Sequence, residues 1–177
     1  IKGDILVQTA FAGGMLEVLI RECRVSGRIH RGSFTGQNGY VGIRGCLVEQ
    51  GIDIRPYTAS IAFVTVLDGG LSCSFEGDLR LAHNHVEGAG PASPGIVVPF
   101  ADFGGSATDN SVAGTQDGIV VGGNPSGFRV ARNAITDCAR DGAVATVGTV
   151  RIENNVITRP GRHGVLAQGL QTVIGNA

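Results

Sequence analysis

Three dipeptides carry side chains that could move a proton: Gln116-Asp117, Arg140-Asp141 and Arg162-His163. Each stands immediately before a glycine that opens an apolar stretch, and Asp117, Asp141 and His163 follow one another at intervals of 24 and 22 residues. If the chain repeats structurally at that interval, the two carboxylates and the imidazole share one column, about 4.8 Å apart per repeat, with Arg140 and Arg162 in the column beside it. Carboxylates so placed could serve as acid or base on a bound sugar, His163 could shuttle a proton near neutral pH, and the arginines could hold an anion. The competing reading is a solvated turn edge whose charges alternate to avoid repulsion. The solvated edge is preferred, because exposed pairs of this kind typically contribute below about 1 kcal/mol. On that reading a variant lacking the Asp117, Asp141 and His163 side chains folds normally.

Other constellations are weaker. His83-Asn84-His85 places two histidines at strand spacing but has no third ligand nearby, so they read as turn residues and not as a metal site. Asp102, Asp109 and Asp117 lack the regular spacing of a calcium loop. The segment Gly122-Gly123-Asn124-Pro125-Ser126-Gly127 shares only its glycines with a phosphate loop and is read as a turn. Cys23, Cys46, Cys73 and Cys138 show no C-x-x-C spacing, which points to buried thiols. Neither a metal nor a cofactor is expected.

The elements that must position these residues emerge from an internal repeat. The hexad Ile152-Glu153-Asn154-Asn155-Val156-Ile157 has counterparts at Val130–Ile135, Ala107–Val112 and Leu81–Val86, each with asparagine fourth. At Ile43–Val48 and Ile20–Val25 cysteine takes that place, and a weaker match, Ile61–Val66, fills the gap. The hexads start at 20, 43, 61, 81, 107, 130 and 152, so the separations are 23, 18, 20, 26, 23 and 22. Between them runs a second row, a glycine followed by an apolar strand: Gly51–Ile54, Gly95–Val98, Gly118–Val121, Gly142–Ala145 and Gly164–Ala167, extended by Gly3–Leu6 and Gly27–His30. Two short strand signals per roughly 22 residues, with no helical period between them, describe a coil of strands pairing in parallel with the next turn. Within the hexad a bend is expected at the fourth position, where asparagine tolerates the left-handed backbone region. Asn84, Asn110, Asn133 and Asn155 would bond along the stack as a ladder continuing into Cys46 and Cys23.

This pattern resembles the asparagine ladder of the pectate-lyase-like superfamily of right-handed parallel β-helix proteins, over about residues 15 to 177. The resemblance implies an all-β fold, a single-stranded right-handed parallel β-helix (solenoid) of about eight coils. Its hand agrees with the usual hand of parallel crossovers. It does not select an activity, since the superfamily includes lyases, hydrolases, epimerases, phage tailspikes, adhesins and non-catalytic scaffolds. An extracellular or cell-surface setting is what it implies about location. Polysaccharide lyases on this scaffold resemble one another in having acidic calcium ligands and a basic residue on the strand facing the substrate groove. Here the glycine-led row is apolar at both parities, with only Asp4, Arg28, His30 and Asp53 intruding, which leaves no place for a carboxylate pair in the C-terminal half.

Composition agrees with one domain over residues 1–177. The chain has 42% hydrophobic residues, enough for one core, and 29 glycines spread along its length. A formal net charge of −1 with scattered arginines gives no basic stripe for nucleic acid, and no apolar run approaches the length of a membrane span. Ile174-Gly175-Asn176-Ala177 matches the first four hexad positions begun at Ile152, so the sequence stops inside a repeat and is expected to be a fragment of a longer chain. The two-sided apolar sheet formed by 95–98, 118–121, 142–145 and 164–167 is expected to be covered by a homo-oligomer partner or by further chain segments. The leading expectation is a non-catalytic β-helix scaffold or surface-interaction module. The alternatives are a polysaccharide-processing enzyme of lyase, hydrolase or epimerase type, and a carbohydrate-binding module.

Overall fold

The computed structural model describes residues 1–9, 16–34, 39–99 and 104–177. Twenty-three strands run one after another into three parallel sheets of eight, eight and seven strands, and there is no helix among the described residues. The chain is therefore an all-β parallel solenoid. The number of complete three-sided turns falls a little short of the expected eight. Among the described residues no helix is long and apolar enough to cross a membrane.

The first sheet contains the glycine-led row, from Ile5–Thr9 through Ile52–Ile54 and Ile119–Val121 to Val165–Ala167. The hexads contribute the end of each strand of the second sheet and the start of each strand of the third. Thr149–Glu153 and Val156–Thr158, for example, flank one bend. Each turn thus has three strands where the sequence pattern suggested two, because the hexad spans a corner. The register follows the repeat spacing: Ile20 pairs with Ile43, Ile43 with Ile61, Ile61 with Leu81, Leu81 with Ala107, Ala107 with Val130, and Val130 with Ile152. The sixth hexad position forms a second stack, Val25, Val48, Val66, Val86, Val112 and Ile135, almost fully buried against the first.

Three details depart from the sequence reading. The left-handed residue is the third of the hexad and not the fourth: Glu22, Phe63, His83, Asp109, Arg132 and Asn154 have φ between 49° and 58°. Turning the chain at position three sends that side chain outward and leaves the fourth free to point into the core. In the last turn Ile152 pairs with Val173, so the final repeat begins one residue earlier than expected and Asn176 is the equivalent of Asn155. The glycine-led row also has a member that was overlooked, Gly70-Leu71-Ser72-Cys73, whose Leu71 pairs with Ile52 and Ile96.

The asparagine ladder is continuous from Asn84 to Asn176. The backbone N–H of Asn133 and its Nδ2 both donate to Oδ1 of Asn155, at 2.9 and 2.8 Å, and Nδ2 also donates to the Ala107 carbonyl at 3.0 Å. Asn84, Asn110 and Asn155 repeat the arrangement, and Asn176 closes it by donating to the Ile152 carbonyl. Val64 interrupts it on the other side: this buried valine offers only its backbone N–H to Asn84 Oδ1, at 3.2 Å. Cys46 and Cys23 lie beyond it as free thiols with their sulfurs 3.3 Å apart. The ladder therefore does not continue into the cysteines.

In the first sheet Ile96, Val98, Ile119, Val121, Ala143 and Ala145 face the core and are buried. Val97, Val120, Val144 and Leu166 face out, yet none is strongly exposed: Val144 is only 9% accessible and the other three are half-buried. Stacking of like side chains covers much of the stripe within the single chain. Close approach requires the glycine before several of these strands. A Cβ on Gly118 would sit 2.4 Å from both the Gly142 carbonyl oxygen and the Ile135 side chain, and one on Gly142 would sit 2.4 Å from Ile157.

Asn133→Ala removes two donors and one acceptor from a fully paired interior. Equilibrium urea unfolding is expected to show a loss on the order of 1 to 3 kcal/mol. An unchanged midpoint would mean that the ladder contributes nothing to the folded state.

Candidate functional site

The column predicted from the dipeptides exists, and its geometry separates the charges. Asp117 and Asp141 are 3% and 1% exposed, whereas the side chain of His163 is 56% exposed. The residues come together because Gly118, Gly142 and Gly164 bring successive turns into register: the Gly118 N–H donates to the Asp141 carbonyl at 2.9 Å, and the Gly142 N–H to that of His163 at 2.9 Å. Each carboxylate then accepts bonds from the following turn. Arg140 donates to both oxygens of Asp117, with Nε 3.1 Å from Oδ1, and the Asp141 N–H donates to the same Oδ1 at 3.2 Å. Arg162 donates to Asp141 Oδ2, the His163 N–H to Oδ1 at 3.2 Å, and His163 Nδ1 lies 2.8 Å from Oδ1.

The carboxylates are thus buried and saturated, and the edge is not simply solvated. Burial pushes the Asp141 carboxyl up, but hydrogen bonds from the His163 ring, from Arg162 and from the His163 N–H outweigh it and hold the group below the usual carboxylate value. The hydrogen bond to Asp117 pushes Arg140 further above its ordinary range. A depressed, enclosed carboxylate is a poor general base at neutral pH and a poorer general acid. His163 is the one member of the column with an accessible ring.

A wider rule contains this column and was missed in the sequence. Asp109 pairs with Arg132 through bonds of 2.8 and 2.6 Å, and Asp137 with Arg159 through 2.6 and 2.7 Å, again one turn apart. Arg132 and Arg159 hold their aspartates below the usual carboxylate value. An aspartate followed by an arginine one repeat later occurs four times, and that signal was available. Glu153 is held similarly between Arg151 and Arg129.

The remaining sequence suggestions stay apart. His83 stacks on Phe63 with ring centroids 4.9 Å apart, and His85 bonds to Glu87 at 3.1 Å, so the two histidines do not converge. Asp102 lies outside the described residues, while Asp109 and Asp117 are held by different arginines. On the first sheet Asp4 approaches His30 at 3.6 Å, and Asp53 is the register partner of His30. Among the described residues no group of three or more His, Cys, Asp or Glu side chains is arranged to hold a metal ion. Residues 122–125 form the connection into the strand Ser126–Ala131, with no helix following. Burial, together with Cys46, pushes the Cys23 thiol up to about 11, and burial raises Cys73 and Cys138 as well, which leaves these sulfurs protonated and weakly nucleophilic.

Because the folded-state pKa of Asp141 is depressed, its contribution to stability is fully present above the unfolded value near about 4. It is lost as pH falls through the lower folded value. Wild-type protein is therefore expected to lose its margin over Asp141→Asn when urea midpoints are compared from pH 7 down through pH 3. The aspartate-lacking variant should be less stable at pH 7, contrary to the expectation that the column can be removed freely. A margin independent of pH would contradict the ionised, bonded role given to Asp141.

No protein-family model matches the sequence, and neither a curated protein nor a solved structure matches it.

Proposed function

We propose that this chain is a non-catalytic β-solenoid scaffold, a surface-interaction module of a larger assembly. The observation that carries the reading is the enclosure of Asp117 and Asp141. Their oxygens are engaged by arginine and backbone donors of the next turn, which leaves no carboxylate in the column able to reach a substrate. The bend, the ladder and the three-sided turn support a kinship with the pectate-lyase-like superfamily, where scaffolds and adhesins occur beside enzymes. That kinship favours a polysaccharide-rich, extracellular or surface setting. Within such an assembly the stripe Val97, Val120 and Leu166 is where a second copy would seat.

A second reading rests on the pairing of His163 with Asp141 at 2.8 Å, an exposed imidazole oriented by a buried carboxylate. In a polysaccharide-processing enzyme that pair would supply a base. Incubation with uronate polymers separates the two readings. The scaffold reading expects neither unsaturated products nor new reducing ends. Turnover that disappears in a folded His163→Ala variant would replace the scaffold with the enzyme. For assembly, light scattering is expected to give a mass above the monomer, reduced by Val120→Glu. A monomer in both cases would remove the second copy from the account.

A further inference from the structure

Among the described residues eight arginines pair with a carboxylate, including Arg24 with Glu49 and Arg55 with Glu76 in the N-terminal half. Arg129, Arg132, Arg140, Arg151, Arg159 and Arg162 each hold a carboxylate. Arg21, Arg44 and Arg80 hold none among the described residues, and all three line one cleft of about 370 Å³ on the outer face of the second sheet. The register explains the convergence. Arg21 pairs with Arg44 on the adjacent strand, while Ser60, one strand further on, pairs with Arg80. Among the described residues no acidic side chain lines the cleft.

Its floor is made of small residues, Gly42, Ser60, Ala62 and Ala82. Tyr40 stands near the start of its strand, and the stacked rings of Phe63 and His83 occupy the bends where the neighbouring strands end. Phe63 is a costly choice: it is 52% exposed and takes φ of 56°, a region that bulky side chains seldom adopt. Turn formation does not require it, since the equivalent bends carry Glu, Gly, His, Asp, Arg or Asn. Above its ring lies the Arg44 guanidinium, 5.3 Å from the centroid, which fixes one cation beside an exposed aromatic face.

We propose that this cleft binds an acidic saccharide, a sugar ring bearing a sulfate ester or a carboxylate. Guanidinium groups that hold no carboxylate among the described residues match the planar or tetrahedral oxyanion. The Phe63–His83 and Tyr40 rings offer flat faces to the weakly polar side of the sugar, and the Ser60 and Tyr40 hydroxyls face its hydroxyl groups. An extended acidic peptide fits less well. The strands Gly39–Arg44, Thr58–Ala62 and Leu79–Ala82 are paired on both sides and present no free edge to a peptide backbone. The inference deepens the scaffold reading by giving the module a ligand class, and the cleft lies on a different sheet from the glycine-led row and away from the aspartate column.

Calorimetric titration with a sulfated disaccharide, a uronate disaccharide, the neutral disaccharide, sodium sulfate and an acidic peptide tests it. Binding by at least one of the acidic sugars is expected, weakened by added salt. Each of Arg21→Gln, Arg44→Gln and Arg80→Gln should weaken it by about tenfold, the loss of one charge-assisted bond. Arg159→Gln should leave it unchanged. None of the three holds a carboxylate among the described residues, so Arg21→Gln and Arg80→Gln should keep the wild-type unfolding midpoint, and Arg44→Gln should lose only the contact with the Phe63 ring. The arm that binds tells carboxylate from sulfate ester. Absence of binding by both acidic sugars, equal binding of the neutral sugar, sulfate binding as tightly as the sulfated sugar, or tighter binding of the peptide would each overturn the proposal. Product formation during the titration would instead overturn the scaffold reading while leaving the cleft assignment standing.

Discussion

Every turn of this solenoid can satisfy its polar groups only through the next turn, about 4.8 Å away along the axis. That constraint determines which side chains can stand in a column. Asparagine is self-complementary, since its amide both donates and accepts, so Asn84, Asn110, Asn133, Asn155 and Asn176 can stack without another partner. An ionised aspartate is not self-complementary, and two stacked carboxylates would repel. Asp117 and Asp141 occupy one column only because Arg140 and the Asp141 N–H lie between them, as Arg162 and His163 lie beyond Asp141. Among the described residues no buried side-chain nitrogen or oxygen lacks a partner.

The same constraint decides where function can reside. Polar side chains that complete the stack are committed to it, and those left over are available. In the C-terminal turns nearly every arginine completes a cross-turn pair. In the N-terminal turns Arg21, Arg44 and Arg80 do not, and they share one concave surface with exposed aromatic rings. The carboxylates that first draw attention in the sequence are thus engaged by the stack, while Arg21, Arg44 and Arg80, which hold no carboxylate among the described residues, lie on another sheet.

Much of the fold was legible in the sequence because stacking repeats a residue type at a fixed place. The hexad offsets were recovered as strand registers, and the ladder asparagines were recognised by position alone. What was not legible depended on three dimensions. The hexad hides a corner, so its two halves belong to different sheets. The left-handed residue could not be told from its neighbour, since Asn154 and Asn155 are the same type, and only the outward Glu, Phe, His, Asp and Arg at the equivalent position mark it. The two-sided apolar strands looked like a sheet awaiting a cover, yet Val144 is already shielded by its neighbours in the stack. For the column, spacing foretold the juxtaposition of Asp117, Asp141 and His163, but burial was invisible because it depends on the glycine-mediated approach of successive turns.

On the proposed scaffold reading Asp141 is an ionised structural ligand of its neighbours and not a catalytic acid or base. Carbon-13 titration of the Asp141 side-chain carboxyl tests it most directly, because a catalytic acid must have a raised pKa and a ladder carboxylate a lowered one. The midpoint is expected below the ordinary value of about 3.9. A midpoint above about 5 would contradict it and identify a protonatable carboxyl poised for chemistry.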